Sequence, residues 1–174
     1  DDFFVEKSDD HGDWIMIQPC FSPVWDTGYA LYALTACGLA AGDPSVDAAS
    51  AWLLGKECTF RGDWADGVKL PVDASGWFFE YHNAWYPDVD DTAQVAMALH
   101  RTGRSDGIAA GERGVKWLIA MQNDDGGWAA FDRTKHRQIL EYVPFADHNA
   151  MQDPSCPDIT GRILECLAWH GYTT

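Results

Sequence analysis

Apolar residues recur with helical spacing in three segments that share one design. Each segment opens with an acidic residue and a threonine, continues as an apolar run and ends near a glycine. The openings are Trp25-Asp26-Thr27, Asp90-Asp91-Thr92 and Asp158-Ile159-Thr160, and the glycines are Gly38, Gly103 and Gly171. Polar openings of this kind start helices, and a glycine commonly ends them. The pattern predicts three helices whose threonines are 65 and 68 residues apart.

Two further helices are predicted between these three. They cover Val46 to Lys56 and Gly111 to Gln122, again 65 residues apart. Each precedes a turn that contains glycine and tryptophan, Gly62-Asp63-Trp64 after the first and Gly126-Gly127-Trp128 after the second. About two and a half copies of one unit result, and repeats of this size stack into toroids or solenoids. We therefore expect an all-α fold, part of an α/α toroid of the α6–α6 barrel type, in which one helix layer covers the other.

Composition narrows the classes of function. The net charge of −15 opposes binding to nucleic acids or to an anionic membrane surface. Five scattered cysteines without metal-ligand spacing favour reduced thiols in a cytoplasmic setting and argue against a zinc site. No apolar run approaches the roughly 20 residues that cross a bilayer. The 174 residues are 47% hydrophobic, which predicts a folded domain with a sizeable core.

The densest polar feature is an acidic cluster formed by Asp88, Asp90 and Asp91, directly after Pro87 and before an apolar helix. In a dry cavity three such anions repel, so at least one must hold a proton or meet a cation. A carboxylic acid that stays protonated is what general acid catalysis requires. Clustered carboxylates also suit magnesium or calcium, and a solvated acidic loop is the third alternative.

The acidic helix starts and the aromatic residues extend this hypothesis. Asp26, Asp91 and Asp158 are each expected to cap their own helix, and the toroid arrangement also lets Asp26 and Asp158 converge on the cluster. Nine tryptophans, six tyrosines and eight phenylalanines supply rings on both sides of it. Ring faces stabilise a cation without trapping it as a nucleophile would. An acid among such rings suits protonation of an alkene followed by migration of a carbocation.

At this point the residues resemble a known family. The run from Asp88 to Ala93 resembles the Asp-x-Asp-Asp-Thr-Ala motif of squalene–hopene cyclases, and Arg113 through Gln122 to Trp128 is similar to the glutamine–tryptophan repeat of triterpene cyclases. Ser22 to Thr27, and Pro144-Phe145-Ala146-Asp147 leading to Asp158-Ile159-Thr160, add to the likeness. Whole cyclases are several times longer. We therefore expect residues 1–174 to be the central part of the catalytic barrel region, without a complete second domain and inactive alone.

The resemblance implies a role for each matching residue. Asp90 matches the proton donor, and Asp88 and Asp91 match its supporting carboxyls. Further acid-supporting positions are Asp26, Asp158 and Arg162; cavity aromatics that stabilise cations are Trp25, Phe79 and Phe131; structural repeat residues are Gln122 and Trp128. The implied set includes no cofactor-binding or metal-binding residue.

Three positions depart from the family pattern. Arg162 stands where the best-characterised members have a histidine, and its guanidinium is expected to hold a neighbouring carboxylate ionised while another keeps the proton. Phe131 stands where those members have a tyrosine. In the repeat that contains Gly62, Glu57 replaces the expected glutamine.

The implied activity is that of a cofactor-free isomerase that cyclises squalene to pentacyclic hopanoids (hopene or hopanol) through a carbocation cascade. The resemblance places such an enzyme on the cytoplasmic side of the bacterial membrane, monotopically, through parts that lie outside this chain. It is compatible with a homodimer and implies no nucleic acid partner. Three alternatives stay open: another Asp-x-Asp-Asp protonating terpene cyclase, an α/α-toroid glycoside hydrolase with two carboxylates, and a non-catalytic helical repeat scaffold.

Overall fold

A computed structural model describes residues 4–17, 20–133, 137–143 and 152–172. Its elements are the strands β1 (Phe4–Asp9) and β2 (Gly12–Ile17), the helices α1 (Pro23–Ala36), α2 (Pro44–Leu54), α3 (Trp64–Gly67), α4 (Val89–Arg101), α5 (Ser105–Ala120) and α6 (Pro157–Trp169), and a 3-10 helix (Gln138–Tyr142). The five helices predicted from periodicity are α1, α2, α4, α5 and α6, and all five are confirmed. The segment from Pro144 to Asp147 lies outside the described residues.

The helices form two layers. Helix α4 packs between α1 and α6, whereas α2 packs on α1 and α5 packs on α4. Helix α2 also contacts α5, so the second layer is continuous over these two repeats. The arrangement is a partial α/α toroid, as the repeat spacing predicts.

Helix α4 is the centre of the packing, and its residues from Asp91 to Leu99 are all buried. Small residues let its neighbours approach closely. A methyl group added at Gly28 of α1 would lie 3.3 Å from a Val95 methyl, and one added at Gly114 of α5 would lie 3.3 Å from the Thr92 methyl. Both distances are tighter than ordinary packing, so larger side chains there would push α4 away from its neighbours. This packing fixes the position of the acidic helix start.

Helix ends agree with the prediction only in part. Gly38, Gly103 and Gly171 adopt positive φ angles of 95°, 72° and 79°, so the predicted glycine terminators are confirmed. The prediction that Asp26, Asp91 and Asp158 cap their helices is wrong. The N-cap residues are Ser22, Asp88 and Cys156, and the three predicted caps lie inside the first turn, where their negative charge faces the positive end of the helix dipole.

The hairpin of β1 and β2 differs from the all-α prediction. The two strands pair antiparallel from Phe4 opposite Ile17 to Asp9 opposite Gly12. Gly12 takes a positive φ of 111° at the turn, and the Asp9 carboxylate accepts a hydrogen bond from the His11 N–H. The hairpin lies outside the helical repeats and does not change the fold class.

Candidate active site

The start of α4 is clamped by loops from two successive repeats. The Asp88 N–H donates to the Trp77 carbonyl at 2.7 Å, and the Val89 N–H donates to the Ala130 carbonyl at 2.7 Å. Thr92, one turn inside the helix, accepts a hydrogen bond from the Trp77 N–H at 2.9 Å and donates to the Asp88 carbonyl at 2.6 Å. Loops outside α4 therefore hold the backbone that carries the carboxyls of the acidic cluster.

The same clamp recurs at the start of α6. The Cys156 N–H donates to the Trp128 carbonyl at 2.8 Å, and the Trp128 N–H donates to the Thr160 hydroxyl at 3.1 Å. The indole of Trp128 donates to the Leu118 carbonyl at 2.6 Å, just as the indole of Trp77 donates to the Leu53 carbonyl at 2.7 Å. Trp77 and Trp128 are therefore the equivalent tryptophans of the two repeats.

This equivalence corrects the predicted turn Gly62-Asp63-Trp64. Trp64 is buried against Trp117 with ring centroids 5.7 Å apart, and its indole nitrogen finds no hydrogen-bond partner in the part of the chain that the structure describes. The turn that matches Trp128 comes later, at Trp77, because a longer loop with the short helix α3 separates it from α2. Glu57 does correspond to Gln122: it accepts from Ser75 beside the Trp77 turn at 2.9 Å, as Gln122 donates to Gly126 beside the Trp128 turn at 2.9 Å.

Asp88 caps α4 and is a buried carboxyl. One of its oxygens accepts the N–H groups of Asp90 and Asp91 at 2.7 and 3.0 Å. Burial raises the pKa of Asp88 to about 6; the two backbone N–H groups act in the opposite direction, and the charges of Asp90 and Asp153 add to the rise. Asp88 combines a structural role in the helix start with a titration near neutral pH.

Asp91 is the most deeply buried carboxyl of the cluster, with 1% of its surface exposed. Its Oδ1 atom is buried and has no hydrogen-bond partner among the described residues. Burial raises the pKa of Asp91 to about 8, and the negative charges of Asp88, Asp90 and Asp26 raise it further against the opposing charge of Arg162. Asp91 is therefore largely a neutral carboxylic acid at neutral pH.

Asp90 is half-buried and forms an ion pair with Arg162 of α6. The guanidinium carbon of Arg162 also lies 5.1 Å from the ring centroid of Trp25 on α1. Trp25 in turn packs edge-on against Tyr29, with 4.8 Å between ring centroids. One cation thus joins a carboxylate from α4 and an aromatic face from α1, and the three neighbouring helices meet at this point.

The other two acidic helix starts lie at the edge of this group. Asp26 is exposed and accepts the Ser22 hydroxyl at 3.0 Å, and its charge contributes to the raised pKa of Asp91. Asp158 accepts the Cys156 thiol at 2.7 Å; this bond, together with backbone N–H groups and the more distant Arg162, lowers its pKa. The charge of Asp26 thus acts on Asp91 of the cluster, and Asp158 interacts with Arg162, the ion-pair partner of Asp90.

A family model for the squalene-hopene cyclase C-terminal domain matches residues 21–174. The chain belongs to the squalene-hopene cyclase family. It is 47% identical over 165 residues to the squalene–hopene cyclase of Bradyrhizobium diazoefficiens, covering 90% of this chain and 24% of that protein. Identity to the squalene–hopene cyclase of Alicyclobacillus acidocaldarius is 41% over 167 residues, covering 94% and 26%. An enfumafungin synthase of Hormonema carpetanum is 41% identical over 164 residues, which cover 91% of this chain and 12% of that protein.

The chain therefore spans about a quarter of the length of the first two cyclases. In the described part of this cyclase segment, no group of three or more histidine, cysteine, aspartate or glutamate side chains is arranged to hold a metal ion. Two carboxyls of the cluster are engaged by other groups: Asp88 by backbone N–H groups and Asp90 by Arg162.

Two of the predicted cavity aromatics, Phe79 and Phe131, have a weaker connection to the carboxyl cluster than Trp25 has. Phe131 is 44% exposed, and its backbone N–H donates to the Asp153 carboxylate at 2.8 Å. Phe79 is half-buried in the loop between Trp77 and Asp88. Among the described residues, no hydrogen bond or ring contact ties Phe79 to the carboxyls. The structure connects Trp25 to the cluster through Arg162, and Phe131 through Asp153.

Asp153 is the residue that sequence reasoning missed in this cyclase segment. Its carboxylate holds the Phe131 backbone, and its charge contributes to the raised pKa of both Asp88 and Asp132. It stands before Pro154 in the loop that leads to α6, without helical periodicity or a paired acidic neighbour. An acidic residue between an aromatic turn and a helix start is the one signal that could have indicated it.

Proposed function

We propose that this chain provides the acid end of a cyclase that protonates a terminal double bond of squalene and guides the carbocation into pentacyclic hopanoids. The observation that carries the proposal is the neutral, buried Asp91 beside the ion-paired Asp90, with Trp25 on the other side of Arg162. A carboxylic acid with a raised pKa is a competent general acid near neutral pH. Squalene is proposed as the substrate because the relatives are named squalene–hopene cyclases.

In this proposal the acid is the three-carboxyl cluster. The family pattern matches Asp90 to the proton donor and Asp88 and Asp91 to its supporting carboxyls, with Asp26, Asp158 and Arg162 as outer charges. Trp25, Phe79 and Phe131 would present ring faces to the cation. Gln122 and Trp128 serve the scaffold, since each bonds a backbone carbonyl of its repeat.

The proposed reaction is an intramolecular isomerisation, so protons and electrons balance without an oxidant or a redox cofactor. A proton enters at the terminal alkene, and loss of a proton ends the cascade as an isomerisation. If water is captured instead, one water molecule is added and one of its protons is released. Residues 1–174 would form the central part of the catalytic barrel and would be inactive without the walls that complete it. The fraction of the relatives' length that the chain spans supports this part of the proposal.

Peripheral attachment to the cytoplasmic face of the bacterial membrane, and assembly as a homodimer, belong to the same proposal. Both come from the family resemblance. None of the helices in the described ranges is long and apolar enough to span a bilayer.

The test uses a full-length cyclase that carries residues 1–174. Replacement of Asp90 by Asn should lower the conversion of squalene to pentacyclic products by about 100-fold or more, the usual contribution of general acid catalysis. A matched control is Asp10→Asn in the exposed hairpin turn, which should leave turnover unchanged. Undiminished turnover in Asp90→Asn would remove the acidic cluster from the mechanism, and absence of conversion by the unmodified enzyme would reject the substrate.

A further inference from the structure

Four large aromatic side chains are exposed together between α2 and α4. They are Phe60, Tyr81, Trp85 and Tyr86, which are 36%, 50%, 61% and 50% exposed, and they are called the aromatic patch below. The rings of Phe60 and Trp85 are in contact, with centroids 4.4 Å apart. Together with Tyr81, Phe78 and Ala84 they line an open concave site of about 410 Å³. Apolar side chains that are exposed as a group, and not singly, mark an interaction site.

The aromatic patch is held in shape by contacts of its own backbone. The Lys56 ammonium donates to the Tyr81 carbonyl at 2.9 Å. A methyl group added at Gly62 would lie 2.7 Å from the Trp85 carbonyl oxygen, so the two loops that form the patch are in direct contact. A surface that is already ordered loses less conformational entropy when a partner binds.

The aromatic patch adjoins the acidic cluster. Tyr86 precedes Asp88 by two residues, so their Cα atoms are at most about 7 Å apart. The side chain of Asp90 is 21% exposed, so the described residues do not close the space around the cluster. Among the described helices, α4 has a neighbour on each side in its layer, whereas α1 and α6 have α4 alone. A wall that closes the cluster from outside these residues would also reach the patch.

The composition of the aromatic patch fits a protein partner. Tryptophan and tyrosine are enriched at the centres of protein–protein interfaces, where they carry much of the binding energy. The net charge of −15 opposes approach of this segment to an anionic membrane surface. The chain spans only 24% and 26% of the two cyclases, so most of such a polypeptide is available to supply the partner surface.

We propose that the aromatic patch binds a part of the cyclase polypeptide outside residues 1–174, and that this contact closes the open side of the acidic cluster. The inference rests on the proposed function, which requires the cluster to face a closed cavity. An apolar side chain of that part enters the concave site between Phe60, Tyr81 and Trp85. The contact removes these rings from water and shields Asp90 from bulk solvent.

A first measurement determines whether the aromatic patch is covered. Hydroxyl-radical oxidation read by mass spectrometry is applied to a full-length cyclase that carries this segment, both native and unfolded in urea. Trp85 should be protected in the native enzyme to the same extent as Trp117, although the two are 61% and 0% exposed in this segment. Oxidation of Trp85 as fast in the native as in the unfolded enzyme overturns the inference. This measurement needs no variant, so it stands even if a replacement of Trp85 prevents folding.

A second measurement identifies what covers the aromatic patch. The photoreactive residue p-benzoylphenylalanine replaces Trp85 in the full-length enzyme, which is irradiated on vesicles of phosphatidylethanolamine and phosphatidylglycerol. The expected adduct joins position 85 to a residue of the same polypeptide outside 1–174. The inference is overturned by an adduct to lipid, by one to a residue within 1–174, by one to a second copy, which doubles the mass on a denaturing gel, and by the absence of any adduct.

Conversion of squalene is a separate readout. An enzyme that forms the expected adduct but leaves squalene unchanged rejects the proposed function and keeps the interface. An enzyme that converts squalene while Trp85 stays open to oxidation rejects the interface and keeps the proposed function.

Discussion

The Thr92 hydroxyl accepts a hydrogen bond from the backbone N–H of Trp77 at 2.9 Å, and both residues are fully buried. Thr160 and Trp128 repeat this relationship at 3.1 Å one repeat further along the chain. A threonine one turn inside each of these two helices thus fastens the preceding Gly-Trp turn to the helix start. In α4 the carboxyls of the cluster belong to the N-cap, Asp88, and to two of the residues between it and Thr92, Asp90 and Asp91.

Thr92→Val is expected to destabilise the chain by about 1–3 kcal/mol, because it leaves the buried Trp77 N–H without an acceptor. Urea unfolding followed by circular dichroism measures this change. Thr27→Val is the matched control: Thr27 opens α1 in the same way but makes none of the hydrogen bonds found among the described residues, so its change should stay within about 0.5 kcal/mol. Equal effects at the two positions would contradict the clamp.

The two tryptophans that compete for the repeat position should respond differently to phenylalanine. Trp77→Phe removes the indole hydrogen bond to the Leu53 carbonyl, which keeps only its bond from the Lys56 N–H among the described residues. Trp64→Phe removes an indole N–H that has no partner among those residues. Both lose ring volume, so the difference between them isolates the hydrogen bond. We expect Trp77→Phe to be more destabilising by about 1–2 kcal/mol in urea unfolding. A larger loss for Trp64→Phe would restore Gly62-Asp63-Trp64 as the repeat turn.

Asp91 should make stability decrease as pH rises. Its folded-state pKa of about 8 lies above its unfolded value, so the folded chain retains a proton that the unfolded chain has released over the range between them. The free energy of unfolding therefore falls from about pH 4 to about pH 8. Asp91→Asn should flatten this slope and stabilise the chain near pH 7 by on the order of 2 kcal/mol. Denaturant unfolding at several pH values measures both effects, with Asp10→Asn as the exposed control.

Arg162 should control the alkaline limb of the activity profile. Its charge lowers the pKa of Asp91 against the larger effect of burial, so Arg162→Gln should move the limb to higher pH and reduce the maximal rate by about 10-fold or more. Arg162→Lys keeps the charge and should leave the limb near its original position. The measurement is the pH dependence of kcat/KM for squalene in a full-length cyclase that carries this segment. An unmoved limb in Arg162→Gln would mean that the limb reports another group.

Acidic pH should destabilise the chain through two histidines at the C-terminal ends of α4 and α6. The rings of His100 on α4 and His170 lie 4.8 Å apart, and burial, followed by the charge of His170 and opposed by Glu112, lowers the pKa of His100. A lowered histidine pKa gives stability that is present above about pH 6.5 and is lost as pH falls below it. His100→Gln should weaken this acid dependence of Tm. The exposed His82→Gln should not, and an equal effect of the two would contradict it.

Much of the helical framework could be predicted from the sequence. Periodicity placed the five long helices, and Gly38, Gly103 and Gly171 marked three of their ends, because these signals depend on neighbouring residues alone. The N-cap residues of the helices were harder to predict from the sequence. Asp26 and Asp158 have the residue type of a cap, but the chain enters each helix earlier, at Ser22 and Cys156.

The repeat turns show where local pattern fails. Gly62-Asp63-Trp64 has the residue pattern of a repeat turn. The hydrogen bonds of that turn, to Thr92 and to the Leu53 carbonyl, are made by Trp77. The loop that contains α3 lengthens the connection from α2 to this turn, and sequence spacing measured from α2 therefore finds the wrong tryptophan. The role of Asp153 could not be predicted for a related reason, since it arises from contacts across a loop.

The sequence by itself determined the helix pairs, the acidic cluster and the family, because these are encoded in short runs of residues. Only the tertiary structure decided which carboxyl meets the cation and which is left buried. Asp90 and Arg162 are 72 residues apart, and packing of α6 against α4 brings them together. Burial and the placement of a charge depend on the surrounding helices, so the raised pKa values of Asp88 and Asp91 are a property of the fold.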